Sequence, residues 1–150
     1  MRGAARCLAA LGVLLLALQL VRFPHTNPAV ESDLDAPPEV EQALRSACYD
    51  CHSSQTRWPW YTEIAPISWL AYRDVNEGRR RLNFSTWSSY REDPGTAVQK
   101  LAGIARFVAS GDMAPWYYRW LHPEAHLDDA QRESIFRWVK TETALIDSSS

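Results

Sequence analysis

The chain opens on an apolar run from Cys7 to Val21, broken only by Gln19, with Arg2 and Arg6 before it and Arg22 behind it. No polar face interrupts the run, which argues against a core helix of a globular domain. It is 15 residues long, or 18 counted from Ala4; the shorter count suits a signal-peptide core, the longer a marginal spanning helix. Ala17-Leu18-Gln19 puts a glutamine where a cleavage site needs a small residue, and Pro24 and Pro28 then stop the helix. The pattern predicts an uncleaved N-terminal anchor over residues 1–22, with a removed signal peptide as the alternative. Either places the rest of the chain across the membrane, since the positive flank stays behind. Cys7 lies inside the run and reads as a small apolar residue; a lipidated cysteine would follow the run.

Residues 23–36 lack periodicity and carry prolines and acids, the pattern of a linker. Pro37-Pro38 then opens a helix, with Glu39 and Glu41 at its positive end. Val40, Leu44, Ala47, Cys48 and Cys51 share one face at helical spacing. A Trp-rich loop covers Ser53 to Tyr61. A second helix is predicted from about Pro66 to Arg80 with Ile67, Leu70 and Val75 inward, and a loop with a short turn from Asn83 to Tyr90. Asp93-Pro94 is a helix start and Gly111 its stop, with Val98, Leu101, Ile104, Ala105 and Val108 between them. Met113 to Leu121 reads as an aromatic connection. A last helix starts near Asp128, with Ile135, Phe136, Trp138 and Val139 as its stripe. No alternating strand pattern appears, so the fold class is all-α. The expected organisation is an N-terminal segment (1–22), a linker (23–36), one domain (37–146) and a short tail (147–150).

Composition adds two constraints. The net charge is −2, and without residues 1–22 it is −5 from 13 basic and 18 acidic residues, so no basic field points to nucleic acid. Seven Trp, six Tyr and four Phe are many for a chain that buries a limited core, and small domains often need a cofactor or staple. Three cysteines are too few for a disulfide scaffold.

The chemistry concentrates at residues 48–52, Cys-Tyr-Asp-Cys-His. Cys-x-x-Cys-His is the attachment signature of c-type haem. Two thiols three positions apart on a helix share a face, about 4.5 Å apart along the axis, so both can bond one edge of a haem. Cys48 and Cys51 are the expected thioether anchors and His52 the proximal iron ligand. An electron-carrying haem usually takes a sixth ligand, often a thioether that raises its potential. Apart from Met1 the chain has one methionine, Met113, in Gly111-Asp-Met-Ala-Pro-Trp116. It is the expected distal ligand. His122 and His126 are weaker competitors, and His25 in the linker is expected to be solvated.

With these residues in place, the chain resembles the bacterial haem-binding domain family, small exported proteins with a c-type haem motif. The likeness runs through Cys48-Tyr-Asp-Cys-His-Ser-Ser-Gln-Thr-Arg-Trp-Pro-Trp-Tyr61, Ala65-Pro-Ile-Ser-Trp69, Gly78-Arg79, Leu82-Asn-Phe-Ser85 and Trp87. It continues through Gly111-Asp-Met113, Pro115-Trp-Tyr117 and His122-Pro-Glu-Ala125. The family's methionine is commonly followed by two prolines, and Ala114 takes the first place here. The resemblance implies a small cytochrome c-like helical domain around one covalently attached haem c. It also implies single-electron transfer with redox partner proteins, and the N-terminal segment places this on the periplasmic side of the bacterial inner membrane, anchored by the N-terminal helix, or free in the periplasm if that helix is removed.

Under that reading Trp58, Trp60, Trp69, Trp87, Trp116, Tyr117 and Tyr118 are expected to wall the haem, and Arg57 or Arg73 to pair with its propionates. Arg79-Arg80-Arg81 suits a helix C-terminus, with docking of an acidic partner as the functional alternative. Two rival functions stay open. One is a five-coordinate haem acting on peroxide or sensing a gas, without Met113 on the iron. The other is a haem-free module with a Cys48–Cys51 disulfide, or zinc on Cys48, Cys51, His122 and His126.

Overall fold

A computed structural model of the chain describes residues 2–149. Among these every regular element is a helix, with a single isolated parallel bridge between Ser32 and Thr86. Eight α-helices follow in order: α1 (Arg2–Leu18), α2 (Pro38–Ala47), α3 (Tyr49–His52), α4 (Ile67–Arg81), α5 (Trp87–Arg91), α6 (Pro94–Ser110), α7 (Trp116–Leu121) and α8 (Asp129–Ser149). Short 3-10 turns occupy Trp60–Glu63 and Pro123–Ala125.

The main helices begin and end where their local chemistry directs. Pro37 precedes α2, Pro38 occupies its first turn, and Arg45 near its end bonds Glu41 one turn back at 2.7 Å. Asp93 caps α6 by accepting from the Gly95 and Thr96 amides, and Gly111 ends it at φ +69°, a conformation other residues rarely adopt. At the start of α8, Asp128 accepts from the Gln131 amide at 2.7 Å while the Gln131 side chain accepts from the Asp128 amide at 2.9 Å. That is a reciprocal capping box.

Three helices make the core. Val40, Ala43, Leu44 and Ala47 of α2 meet Leu101, Ile104 and Val108 of α6 and Ile135, Trp138 and Val139 of α8. Each Val, Leu or Ile side chain among them contributes about 1.5–3 kcal/mol when fully buried. Tyr49, Phe84 and Trp87 close one end, with Tyr49 stacked on Phe84 at 4.8 Å. α3 and α4 pack together as a second layer beside this core.

Several expectations are corrected. The helix through Cys48 is not continuous: Cys48 (φ −126°) ends α2 and precedes α3, so the motif straddles a bend. Ile67, expected inward, is exposed, whereas Ser68 on the neighbouring face is buried. The aromatic connection after Met113 contains a helix, α7. α8 runs through residues 147–149 of the expected tail, and Ser150, like Met1, lies outside the described residues.

The segment expected as a linker packs on the domain. Leu34 is buried in the core, and Asp33 accepts hydrogen bonds from Arg45, Tyr49, Gln55 and the Leu34 amide. His25, expected solvated, stacks on Trp58 at 4.1 Å and meets Glu63 at 3.0 Å. These contacts join residues far apart in sequence, which periodicity does not report.

α1 stands apart, its apolar side chains exposed. Its 17 residues span about 26 Å, short of the roughly 30 Å hydrocarbon layer. Among the described residues no helix is long and apolar enough to cross a membrane, so the spanning anchor is not shown. Gln19 bonds both the Ala65 amide and the Ala65 carbonyl, and Phe23 stacks on Tyr72. The chain leaving α1 is thereby held against the start of α4.

Candidate functional site

The Cys-x-x-Cys-His motif sits at the junction of α2, α3 and α4. α3 is one turn long, and the His52 and Cys51 amides both return to the Cys48 carbonyl. This turn holds Cys48 and Cys51 as neighbours, both as free thiols. Burial pushes each thiol up to about 12, and at Cys51 the carboxylates of Asp74 and Asp50 add to it. Folded in this way, both are poor nucleophiles at neutral pH.

His52 is positioned by the segment after α4. Its Nδ1 lies 3.1 Å from the Leu82 carbonyl oxygen. A carbonyl only accepts, so Nδ1 carries the proton and Nε2 keeps its lone pair. Burial lowers the imidazole below its ordinary value, against the opposing pull of the Leu82 and Gly78 backbone, which keeps it in the neutral form a metal ligand requires. The Phe84 amide, in turn, donates to the His52 carbonyl at 2.7 Å.

Gly78 is the reason α3 can lie on α4. A Cβ at this position would stand 2.2 Å from the Cys51 carbonyl oxygen and 2.9 Å from its carbon. An isolated glycine inside a helical pattern is a sequence signal of close packing, and here the packed neighbour is the motif backbone.

Two further residues of the site have roles that the sequence did not indicate. Asp50, between the two cysteines, is buried and accepts from Arg57 Nη2 at 2.9 Å, Arg57 Nε at 3.2 Å, the Arg57 amide at 3.0 Å and Tyr118 Oη at 2.6 Å. Arg79 is turned inward. It donates to the carbonyls of Ser53 and Thr26, to Asn27 Oδ1 and to Thr56 Oγ1, stitching the N-terminal segment to the loop after the motif. The expected three-arginine patch is therefore divided, with Arg80 and Arg81 both bonded to Glu77.

Met113 lies half-buried in the loop between α6 and α7, followed by buried Ala114. Tyr117 Oη donates to Asp74 of α4 at 2.7 Å, and Arg119 Nη1 donates to the Gly111 carbonyl at 2.8 Å. Together with Tyr118 these bonds tie the Met113 loop to α3, to α4 and to its own start. Two clefts of about 510 and 500 Å³ lie nearby. The first is bounded by Phe23, Trp69 and Tyr72, the second by Tyr49, Asp50 and Arg57; neither is lined by Cys48, Cys51, His52 or Met113.

A sequence profile described as a haem-binding domain matches residues 13–141. The chain belongs to this haem-binding domain family. No curated protein and no solved structure matches the chain.

Within this haem-binding domain the other expected site residues divide. Trp87 belongs to the core, while Trp60 and Trp116 are 75% and 73% exposed and meet Tyr61 and Tyr117 edge-on. Trp69 donates to the Val21 carbonyl. Among the described residues, Trp58 Nε1 and Trp138 Nε1 are buried donors with no acceptor. The Arg57 guanidinium, expected free for a propionate, is committed to Asp50; Arg73 is mostly exposed, 3.6 Å from Asp74. The zinc set is not assembled. Among the described residues no three His, Cys, Asp or Glu side chains converge as a metal site. His122 instead bonds Tyr61 Oη and Glu124 and stacks on Tyr118, and His126 is exposed.

Proposed function

We propose that this haem-binding domain is a c-type cytochrome, with one haem attached through Cys48 and Cys51, His52 as the proximal iron ligand and Met113 as the distal one. The observation that carries the reading is the His52 Nδ1 contact with the Leu82 carbonyl, one residue from a free Cys48–Cys51 pair. It turns the one nitrogen with an available lone pair outward from that bond, the arrangement haem-ligating histidines need. The acceptor-less indole N–H of Trp58 also fits an acidic prosthetic group, whose carboxylates accept such donors.

When bound, haem supplies a one-electron couple. The protein's part is to hold the imidazole neutral and oriented and to keep the thiols adjacent and shielded from water. Arg2 and Arg6 before the exposed apolar α1 support a place for the domain outside the inner membrane, with α1 as the membrane contact. Redox partner proteins would meet it there.

Expression of the full chain with c-type maturation factors, followed by intact mass, tests attachment and leader retention together. The expected result is a coloured protein heavier by one haem, a gain abolished in Cys48→Ala/Cys51→Ala. A colourless protein of unmodified mass overturns the reading. Met113→Ala is expected to remove the weak red-edge absorption of the oxidised protein; an unchanged spectrum would refute His/Met ligation and leave the five-coordinate alternative.

A further inference from the structure

Asp50 sits inside the Cys-x-x-Cys-His motif, and its side chain bonds two other parts of the molecule, the loop residue Arg57 and Tyr118 of α7. A buried carboxylate is costly unless its oxygens are satisfied. Here Arg57 supplies its backbone amide and a forked guanidinium, and Tyr118 supplies a hydroxyl at 2.6 Å. Tyr118 lies on α7, five residues beyond Met113. Of the three hydrogen bonds that the side chains of residues 111–119 donate, the Tyr117 bond reaches α4 and the Arg119 bond stays within the loop. Only the Tyr118 bond ends on the Cys-x-x-Cys-His segment itself.

We propose that Asp50 is a positioning residue that, through Tyr118, clamps the Met113 loop to the haem-attachment turn and so sets how firmly Met113 holds the distal position. The proposal rests on the His52/Met113 ligation reading. A thioether is a weak ligand, so its hold on iron depends on how rarely the loop opens. An external ligand competes only with the open fraction, and its apparent affinity scales with that fraction. Losing one hydrogen bond to a charged acceptor is enough to raise the open fraction about tenfold.

The test is imidazole titration of the oxidised, haem-loaded full chain, followed by its absorption spectrum. Tyr118→Phe removes only the hydroxyl and keeps the ring that stacks on His122 at 4.1 Å. Asp50→Asn removes the charge at nearly constant size. Each is expected to bind imidazole about tenfold more tightly than wild type, with unchanged covalent haem content. The double variant is expected to gain little beyond either single one, because both act through the Asp50–Tyr118 bond, which one weakens and the other removes. Val108→Ala, a core truncation on α6, controls for general loosening and is expected to leave imidazole affinity near wild type. Should Asp50→Asn fail to mature, Tyr118→Phe alone decides. If Tyr118→Phe binds imidazole as wild type does while Met113→Ala binds it more tightly, the clamp is refuted and the ligation stands. If Met113→Ala itself changes neither affinity nor spectrum, both fall.

Discussion

Replacing Gly78 by alanine isolates the contact on which the site's geometry depends. In a helix interior the change is ordinarily favourable by about 0.5–1 kcal/mol, because alanine loses less backbone entropy on folding. At Gly78 the new Cβ meets the Cys51 carbonyl oxygen at 2.2 Å, roughly 1 Å inside normal contact. The obstacle is backbone, so no rotamer change relieves it; α3 must lift off α4 or α4 must bend. Overpacking of this kind costs about 1–3 kcal/mol, and a backbone obstacle belongs at the upper end. The net expectation is a loss of about 2 kcal/mol, and a melting temperature lower by about 4–8 °C for a chain of this size. Gly103→Ala provides the control. Gly103 also lies within a helix, α6, but its Cβ would meet nothing within 4 Å. That variant is expected to gain about 0.5–1 kcal/mol. Thermal melts of both holoproteins and wild type decide the matter. The same substitution should carry opposite signs at the two sites; Gly78→Ala melting at or above Gly103→Ala would refute the packing of the motif on α4.

Three further outcomes are expected. In the haem-free folded chain, Cys48 and Cys51, both pushed up to about 12 from an ordinary 9.0, should alkylate about a thousandfold more slowly near pH 8 than in the denatured chain; mass-mapped labelling with iodoacetamide measures this, and equal rates would show that the thiols are not buried. Burial tends to raise the Asp33 carboxyl, but bonds from Gln55, Tyr49, the Leu34 amide and Arg45 outweigh it and hold it below the ordinary 3.8. Its contribution should be fully present above that value and fade as pH falls through the lowered one; Asp33→Asn should flatten this limb in urea melts taken between about pH 5 and 2, and an unchanged limb would refute it. Arg79→Met keeps the aliphatic stem but removes four hydrogen bonds, with an expected cost of about 2–3 kcal/mol and faster hydrogen exchange in residues 24–30; a cost confined to a few tenths would mark the contacts as incidental.

The chain's local chemistry announced most of its helices and the reactive residues themselves. Pro38, Asp93, Gly111 and Asp128 act within one turn of where they stand, so their caps and stops are readable without a neighbour. The Cys-x-x-Cys-His spacing is equally local, and the stripes of α6 and α8 became the core.

What surrounds the motif was decided only by folding. Asp50 and Tyr118 are 68 residues apart, Arg79 and Thr26 53 apart, and Gln19 and Ala65 46 apart. Segment 23–36 has no periodicity because it is held by side-chain hydrogen bonds and single stacked rings instead of an apolar face. Hydrophobic spacing reports which face of an element turns inward; it carries no record of which distant partner satisfies a buried charge, nor of which glycine another backbone will touch.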